Sequence, residues 1–190
     1  MTEPDPSPFA HLRDELVHQG AVVGFYDGWF RGPDGQEFRR DVVRHPGAVS
    51  AVALDRDTGS DDWQVYLVRQ YRAPIDTDLW EIPAGKLDLA DEALDVAVAR
   101  ELAEEIGRQA GSLERLLDFH HSPGFCDELQ HIYLARDLTP VARRSDGLEE
   151  EHMLVNRVPL TEAVAMALDG RITDGKSIAG LLAAARRLGV

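Results

Sequence analysis

Residues 85–107 read GKLDLADEALDVAVARELAEEIG, and this stretch carries the clearest helix signal in the chain. Its apolar residues recur at helical spacing, so a helix is predicted over about 92–106, with Asp91 as N-cap and Gly107 just past the end. Residues three and four positions apart lie on one helical face. The helix is therefore predicted to pack by its apolar side and to present Glu101, Glu104 and Glu105 together.

Three glutamates on one helical face are unfavourable on their own account. Like charges at positions i and i+4 cost about 0.2–0.5 kcal/mol per pair, and acidic residues near a helix C-terminus oppose the helix dipole. A hard divalent cation such as Mg²⁺ or Mn²⁺ prefers oxygen ligands and would turn the repulsion into attraction. In a chain with a net charge of −14, an exposed acidic helix face remains the alternative.

Composition restricts the class of protein. The 190 residues are 44% hydrophobic and 28% charged, which is typical of a globular domain and not of a disordered chain. The net negative charge argues against a nucleic-acid partner. A single cysteine, Cys126, and a start without a signal-peptide pattern favour the cytoplasm. No apolar run reaches the ~20 residues of a membrane span, so no membrane partner is expected.

The rest of the chain predicts a mixed sheet with helices on its faces. Three prolines in residues 3–8 indicate a frayed leader. A turn at Gly32–Gly35 predicts a hairpin from residues 22–30 and 37–43. Further strands are predicted at 48–54, 63–68, 113–120, 130–135 and 155–160, and further helices at 161–168 and 177–188.

The stretch from Gly85 to Gly107 resembles the signature of the Nudix hydrolases. The matching positions are Gly85, Glu92, Arg100, Glu101, Leu102, Glu104, Glu105 and Gly107. Six residues separate Gly85 from Glu92 where the family pattern has five, and Arg108 stands where the family has an aliphatic residue. A loop insertion is the preferred explanation, because loops absorb insertions easily; the alternative is that Asp91 replaces the first glutamate.

The resemblance implies an α/β/α sandwich with a mixed sheet. Residues 1–45 are predicted to form a leader and a β-hairpin that dimerises, and residues 46–190 to form the Nudix hydrolase domain. By the same resemblance Mg²⁺ or Mn²⁺ is bound by Glu101, Glu105 and the main-chain carbonyl of Ala84. Glu104 is an accessory catalytic group, and Arg100 supports the site by a salt bridge to Glu92.

The flanking sequences resemble the ADP-ribose pyrophosphatase branch of the family. Pro123 lies 16 residues after Gly107, the position where that branch carries a proline. Residues 69–72 with 79–85, and residues 39–49, resemble the same branch. A homodimer is implied, with Arg40 acting across the interface. The predicted substrate-binding residues are Arg40, Arg72, Glu81, Gly124, Phe125, Asp127 and Glu128.

The implied reaction is hydrolysis of ADP-ribose to AMP and ribose 5-phosphate. A carboxylate in the loop 145–152 is expected to act as general base; Glu150 is favoured, and Glu149 and Glu151 stay open. The alternatives are a pyrophosphatase for another nucleotide sugar, such as ADP-glucose or GDP-mannose, and a non-catalytic sensor that binds ADP-ribose. A plain α/β binding domain with an acidic surface is the remaining hypothesis.

Overall fold

The computed structural model describes residues 7–57, 61–87, 89, 91–143 and 152–190. These fall into two compact units. The first runs up to Gly47 and includes His120–Leu129, and the second contains Ala48–Phe119 and Gln130–Val190. The division at residue 45 stays a prediction; residues 120–129, which it assigned to the second domain, cluster here with the first unit.

The first unit is built on a three-stranded antiparallel sheet. Its strands are β1 (Ala10–Gln19), β2 (Gly24–Arg31) and β3 (Glu37–Arg44), in that order. The predicted hairpin is β2 and β3, and Gly35 adopts the positive φ of 81° that its turn requires. Strand β1 was not predicted, because its polar residues conceal any alternation. The loop at 122–127 is fixed to β3, where the Val43 amide donates to the Phe125 carbonyl at 2.7 Å.

Within its described residues, the second unit is a seven-stranded mixed sheet with three helices. Its central strand β4 pairs in parallel with β9 and antiparallel with β5 and β7. The sheet order is β10-β5-β4-β9-β8, with β6 on β5 and β7 on β4. The strands are β4 (Ala48–Arg56), β5 (Trp63–Arg72), β6 (Thr77–Glu81), β7 (Ala84–Lys86), β8 (Arg108–His120), β9 (Leu129–Pro140) and β10 (Leu154–Pro159). A 3₁₀ turn covers Ala73–Ile75, and the helices are α1 (Leu94–Ile106), α2 (Leu160–Leu168) and α3 (Gly175–Leu188).

Strand β4 shows how the sheet separates two apolar layers. Val49, Ala51 and Ala53 pack with Ala97, Val98, Leu102 and Ile106 of α1. Val52 and Leu54 point to the other face and pack with Leu160 and Ala163 of α2 and Leu181 and Ala184 of α3. Because successive side chains of a strand alternate between faces, a strand buried on both faces is apolar over nearly all of its length. Among the buried residues of β4, Ser50 is the polar exception. The predicted α/β/α sandwich is confirmed.

The first turn of α1 differs from the prediction. The helix begins at Leu94 with Ala93 as N-cap, so the prediction of Asp91 as N-cap is wrong. Asp91 adopts a φ of 63°, in the left-handed region, two residues before the N-cap. The C-terminal prediction is confirmed, since Gly107 ends the helix at a φ of 62°. Among the described residues, no helix combines the length and apolar character needed to cross a membrane.

Candidate active site

Helix α1 lies on the short strand β7, and its last turns face the backbone of that strand. The Ala84 amide donates to Oε2 of Glu105 at 3.0 Å. Strand β7 is itself fixed to β4, where Ala84 is paired with Ser50. The Glu105 carboxylate is therefore held beside Ala84 of β7. Glu105 is only 3% exposed.

Glu101 lies against the same strand one helical turn earlier. A Cβ atom placed on Gly85 would come within 1.9 Å of the Glu101 carboxyl carbon. A side chain at residue 85 and a carboxylate at residue 101 thus exclude each other, and glycine is required by space and not by φ. Two buried carboxylates, Glu101 and Glu105, consequently lie beside consecutive residues of β7.

Arg100 joins the loop before α1 to the carboxylates on it. Its Nε and Nη2 atoms each donate to Glu92 at 3.1 Å. Its Nη1 atom donates to Glu101 at 2.7 Å and to Glu104 at 3.0 Å. The hydrogen bonds to Glu92 are the largest cause of a raised Arg100 pKa, which the nearby glutamates raise further. The salt bridge expected between Glu92 and Arg100 is present, and it also reaches the acidic face.

A second charged group lies at the junction of β5, β6 and α3. Arg72 Nε donates to Glu81 Oε1 at 2.7 Å, and Arg72 Nη2 donates to Glu81 Oε2 at 2.6 Å. Lys176 Nζ also donates to Glu81 Oε2 and lies 3.0 Å from Asp174 Oδ1. Both Glu81 oxygens are therefore occupied, and the residue is 1% exposed.

The charges of this group stabilise the ionised form of Glu81. Burial acts to raise the Glu81 pKa, but the hydrogen bonds from Arg72 and the charge of Lys176 outweigh burial and hold the pKa below its ordinary value. The Arg72 pKa is raised, chiefly by its hydrogen bonds to Glu81 and further by the charges of Asp174 and Glu105. Arg72 therefore lies within electrostatic range of the predicted metal ligand Glu105.

The first unit contains a cavity of about 430 Å³. Four predicted substrate-binding residues line it, namely Arg40, Gly124, Phe125 and Asp127. Phe125 is 57% exposed. The Arg40 guanidinium carbon lies 4.7 Å from the centre of the Phe38 ring. An exposed aromatic ring and a guanidinium plane are groups on which a flat base can stack.

Asp127 anchors one wall of this cavity. Its Oδ1 atom accepts from the His45 amide at 2.8 Å, and its Oδ2 atom accepts from Arg44 at 3.1 Å. Glu128, by contrast, lies outside the cavity lining and has His121 as neighbour, with 4.0 Å between Nε2 and Oε1. The structure thus brings four of the predicted residues together and leaves Glu128 apart.

The predicted base and its neighbours, Glu149, Glu150 and Glu151, lie outside the described residues. Sequence reasoning missed Lys176 and Asp174. One signal was available: a lysine in the first turn of a helix faces the positive end of the helix dipole, so it needs a specific anionic partner. The chain has only two lysines, Lys86 and Lys176. That one of them stands at the start of a helix is therefore a recognisable signal.

The chain is similar over most of its length to proteins of known activity. The chain is 39% identical over 175 residues to "ADP-ribose pyrophosphatase" of Mycobacterium tuberculosis, covering 92% of this chain and 82% of that protein. It is 33% identical over 166 residues to "ADP-ribose pyrophosphatase" of Bacillus subtilis, covering 87% and 86%.

A solved structure, "Crystal structure of ADP compounds hydrolase", superposes with a TM-score of 0.79 over 98% of this chain and 97% of that one. At 22% identity this likeness shows a shared fold. The NUDIX domain matches residues 44–181, a range that contains β4, β7, α1 and the glutamates that α1 presents to β7. The chain therefore belongs to the NUDIX domain family.

Proposed function

We propose that this protein is a metal-dependent pyrophosphohydrolase that cleaves ADP-ribose to AMP and ribose 5-phosphate. The observation that carries the proposal is the pair of buried carboxylates, Glu101 and Glu105, held against Ala84 and Gly85 with Arg72 in electrostatic range. The activity named for the two bacterial relatives supports ADP-ribose as substrate. The substrate is a small-molecule nucleotide sugar.

The donor atoms at this point fit a hard divalent cation. Among the described residues, no three His, Cys, Asp or Glu side chains form a ready-made cation site. The proposed ligands are instead Glu101, Glu105 and the Ala84 carbonyl, all of them oxygens, as Mg²⁺ and Mn²⁺ prefer. When bound, such an ion would supply Lewis-acid polarisation of the pyrophosphate and a more acidic water.

The remaining roles belong to the protein's own residues. Arg72 binds a phosphate oxygen, which suits a guanidinium whose other nitrogens are already fixed. Glu81 is buried, so it acts on the substrate through Arg72 and not by direct contact. Arg100 limits repulsion among the glutamates of α1. Glu104 is the accessory group, and Glu150 is the proposed base that takes a proton from the attacking water.

We further propose that the cavity in the first unit binds the adenine base of the substrate. Phe125 supplies a stacking surface, and Arg40 supplies a cation to the lining of the same cavity. Arg40 is proposed to serve the partner's active site in a homodimer. The first unit offers exposed apolar residues for such an interface, including Phe9, Leu16 and Val17 at 55%, 58% and 54% exposure.

The decisive experiment is a substrate panel with and without metal. Purified protein is stripped with EDTA, returned to Mg²⁺ or Mn²⁺, and assayed with ADP-ribose, ADP-glucose and GDP-mannose. The proposal expects no turnover without metal and a preference for ADP-ribose of at least about tenfold in kcat/KM. A preference for another nucleotide sugar would overturn the substrate assignment. Tight binding of ADP-ribose without turnover would indicate a sensor.

Two variants test the residue assignments. Glu105→Gln keeps the shape of the side chain but removes its charge, and should abolish turnover while the protein stays folded by circular dichroism. Mixing inactive Glu105→Gln protein with inactive Arg40→Met protein tests the proposed homodimer. If Arg40 acts in the partner's site, mixed dimers regain one intact site and activity returns. Absence of any regain after verified subunit exchange contradicts action in trans.

A further inference from the structure

A lysine buried at the start of α3 is unusual in this chain. Lys176 is 6% exposed and lies in the first turn of the helix, where the dipole disfavours a cation. Its ammonium contacts one carboxylate on each side, Glu81 and Asp174. Asp174 is also the N-cap, since its side chain accepts from the Ser177 amide at 3.0 Å. Burying a lysine is expensive unless it is paired, so its position depends on both acids.

Lys176 and Arg72 both donate a hydrogen bond to the same oxygen atom of Glu81. Oε2 of Glu81 accepts from Arg72 Nη2 at 2.6 Å and also from Lys176 Nζ. The two cations are therefore matched by two anions, Glu81 and Asp174, and the group carries no net charge. Within a buried group, the position of each charge depends on the other three, because screening by water is weak.

The group is buried at Lys176 and open at Arg72. The side chain of Arg72 is 38% exposed, whereas those of Lys176 and Glu81 are 8% and 1% exposed. The hydrogen bonds of Arg72 to Glu81 use Nε and Nη2. Among the described residues, Nη1 is the nitrogen of this guanidinium without a hydrogen-bond partner. This nitrogen is therefore the one available to a phosphate oxygen.

We infer that Lys176 is a positioning residue for Arg72 and acts through Glu81. Without the lysine, the buried carboxylate of Glu81 and the partly buried carboxylate of Asp174 would face a single cation. The Arg72 guanidinium already interacts with the charge of Asp174, so it would be drawn inward to neutralise both acids. Its outer nitrogen would then be withdrawn from the substrate. Lys176 neutralises the inner part of the group and leaves Arg72 directed outward.

The inference rests on the proposed function, because it takes Arg72 to bind the pyrophosphate. The test compares Lys176→Met in the parent protein and in an Arg72→Met protein. Arg186→Met is the matched control, since it removes one positive charge from an exposed position on the same helix. Steady-state kcat and KM are measured with whichever nucleotide of the panel the parent hydrolyses best. Failure of the proposed substrate is then read from the parent alone.

Lys176→Met should lower kcat/KM by about 10- to 100-fold, the scale of a misplaced catalytic group. Arg186→Met should leave kcat/KM unchanged. In the Arg72→Met background, adding Lys176→Met should change kcat/KM by less than about twofold, because residues that act as one unit are not additive. Lys176→Arg, which keeps the charge, should restore part of the loss.

Two results would overturn the inference. One is a folded Lys176→Met protein with parental kcat/KM. The other is a loss that multiplies in full with that of Arg72→Met, since this would show that Lys176 acts independently of Arg72. If Lys176→Met does not fold, Lys176→Gln replaces it. Glutamine removes the charge but keeps a hydrogen-bond donor, and the same non-additivity with Arg72→Met is expected, with full additivity again contradicting the inference.

Discussion

Replacing Gly85 with alanine adds one methyl group, which should displace the Glu101 carboxylate and so impair the candidate active site. The new Cβ would lie 1.9 Å from the Glu101 carboxyl carbon, about 1.5 Å short of the 3.4 Å at which ordinary contact begins. Glu101 is 8% exposed and is held at 2.7 Å by Arg100, so its side chain has little room to retreat. Either Glu101 moves by more than an ångström or β7 separates from α1.

A displacement of this size at a proposed metal ligand has a predictable kinetic effect. Misplacing a catalytic group by about 1 Å costs on the order of 100-fold in rate, equivalent to about 2.7 kcal/mol. We therefore expect Gly85→Ala to lower kcat by about 100-fold or more and to weaken Mg²⁺ binding measured by calorimetry. Thermal unfolding, followed by circular dichroism, reports the share of the effect that is loss of fold.

Gly20→Ala is the matched control for the added methyl group. Its Cβ would meet only the Val23 carbonyl oxygen, at 3.1 Å, so a shift of a few tenths of an ångström suffices. Parental kcat and parental Mg²⁺ affinity in a folded Gly85→Ala protein would refute the reasoning. Such a result would mean that Glu101 does not need its place against β7.

Three further predictions concern other parts of the molecule. Arg100→Met should lower the free energy of unfolding by about 2 kcal/mol, the scale of one charged hydrogen bond. The loss is no larger because the Arg100 side chain is 25% exposed and solvent screens part of its interactions. Urea unfolding measures this loss, and a loss no larger than that of Arg186→Met would contradict the prediction. Glu81 has a lowered pKa, so the stability that it contributes is present above its unfolded value of about 4.5 and is lost as the pH falls through the folded pKa. The stability of Glu81→Gln should consequently fall less steeply than that of the parent between about pH 5 and pH 3, and parallel curves would refute the assignment. Phe125→Ala should weaken ADP-ribose binding by about 1–3 kcal/mol, the energy of stacking on one base. Calorimetry with the inactive Glu105→Gln protein measures this change in Kd. An unchanged Kd would exclude Phe125 from the binding site.

Local sequence predicted much of the second unit. The spacing of apolar residues located α1, and the nearly continuous apolar run of β4 indicated a strand buried on both faces. Glycine at residue 107 correctly marked the end of α1. These features depend on residues close together in the chain, where periodicity and turn chemistry act directly. The start of α1 was placed wrongly because Asp91 has the chemistry of an N-cap but adopts a left-handed turn.

The strands that sequence reasoning missed are those whose identity depends on a partner. Strand β7 is only three residues long and contains Gly85, and it exists because Val49 and Ser50 of β4 pair with it. Strand β1 is polar along most of its length and is defined by its pairing with β2. A sequence pattern records the residues of one strand and not the strand against which it lies.

The sequence by itself determined that Glu101, Glu104 and Glu105 share one face of α1, because this follows from residue types at helical spacing. Its resemblance to the Nudix signature between Gly85 and Gly107 indicated the family. Tertiary structure alone decided that the Glu101 carboxylate rests on Gly85, and that Lys176 shares an oxygen of Glu81 with Arg72 across 95 residues of chain. Such contacts join residues from different elements, and their energies depend on burial and charge balance, which arise only when the elements pack.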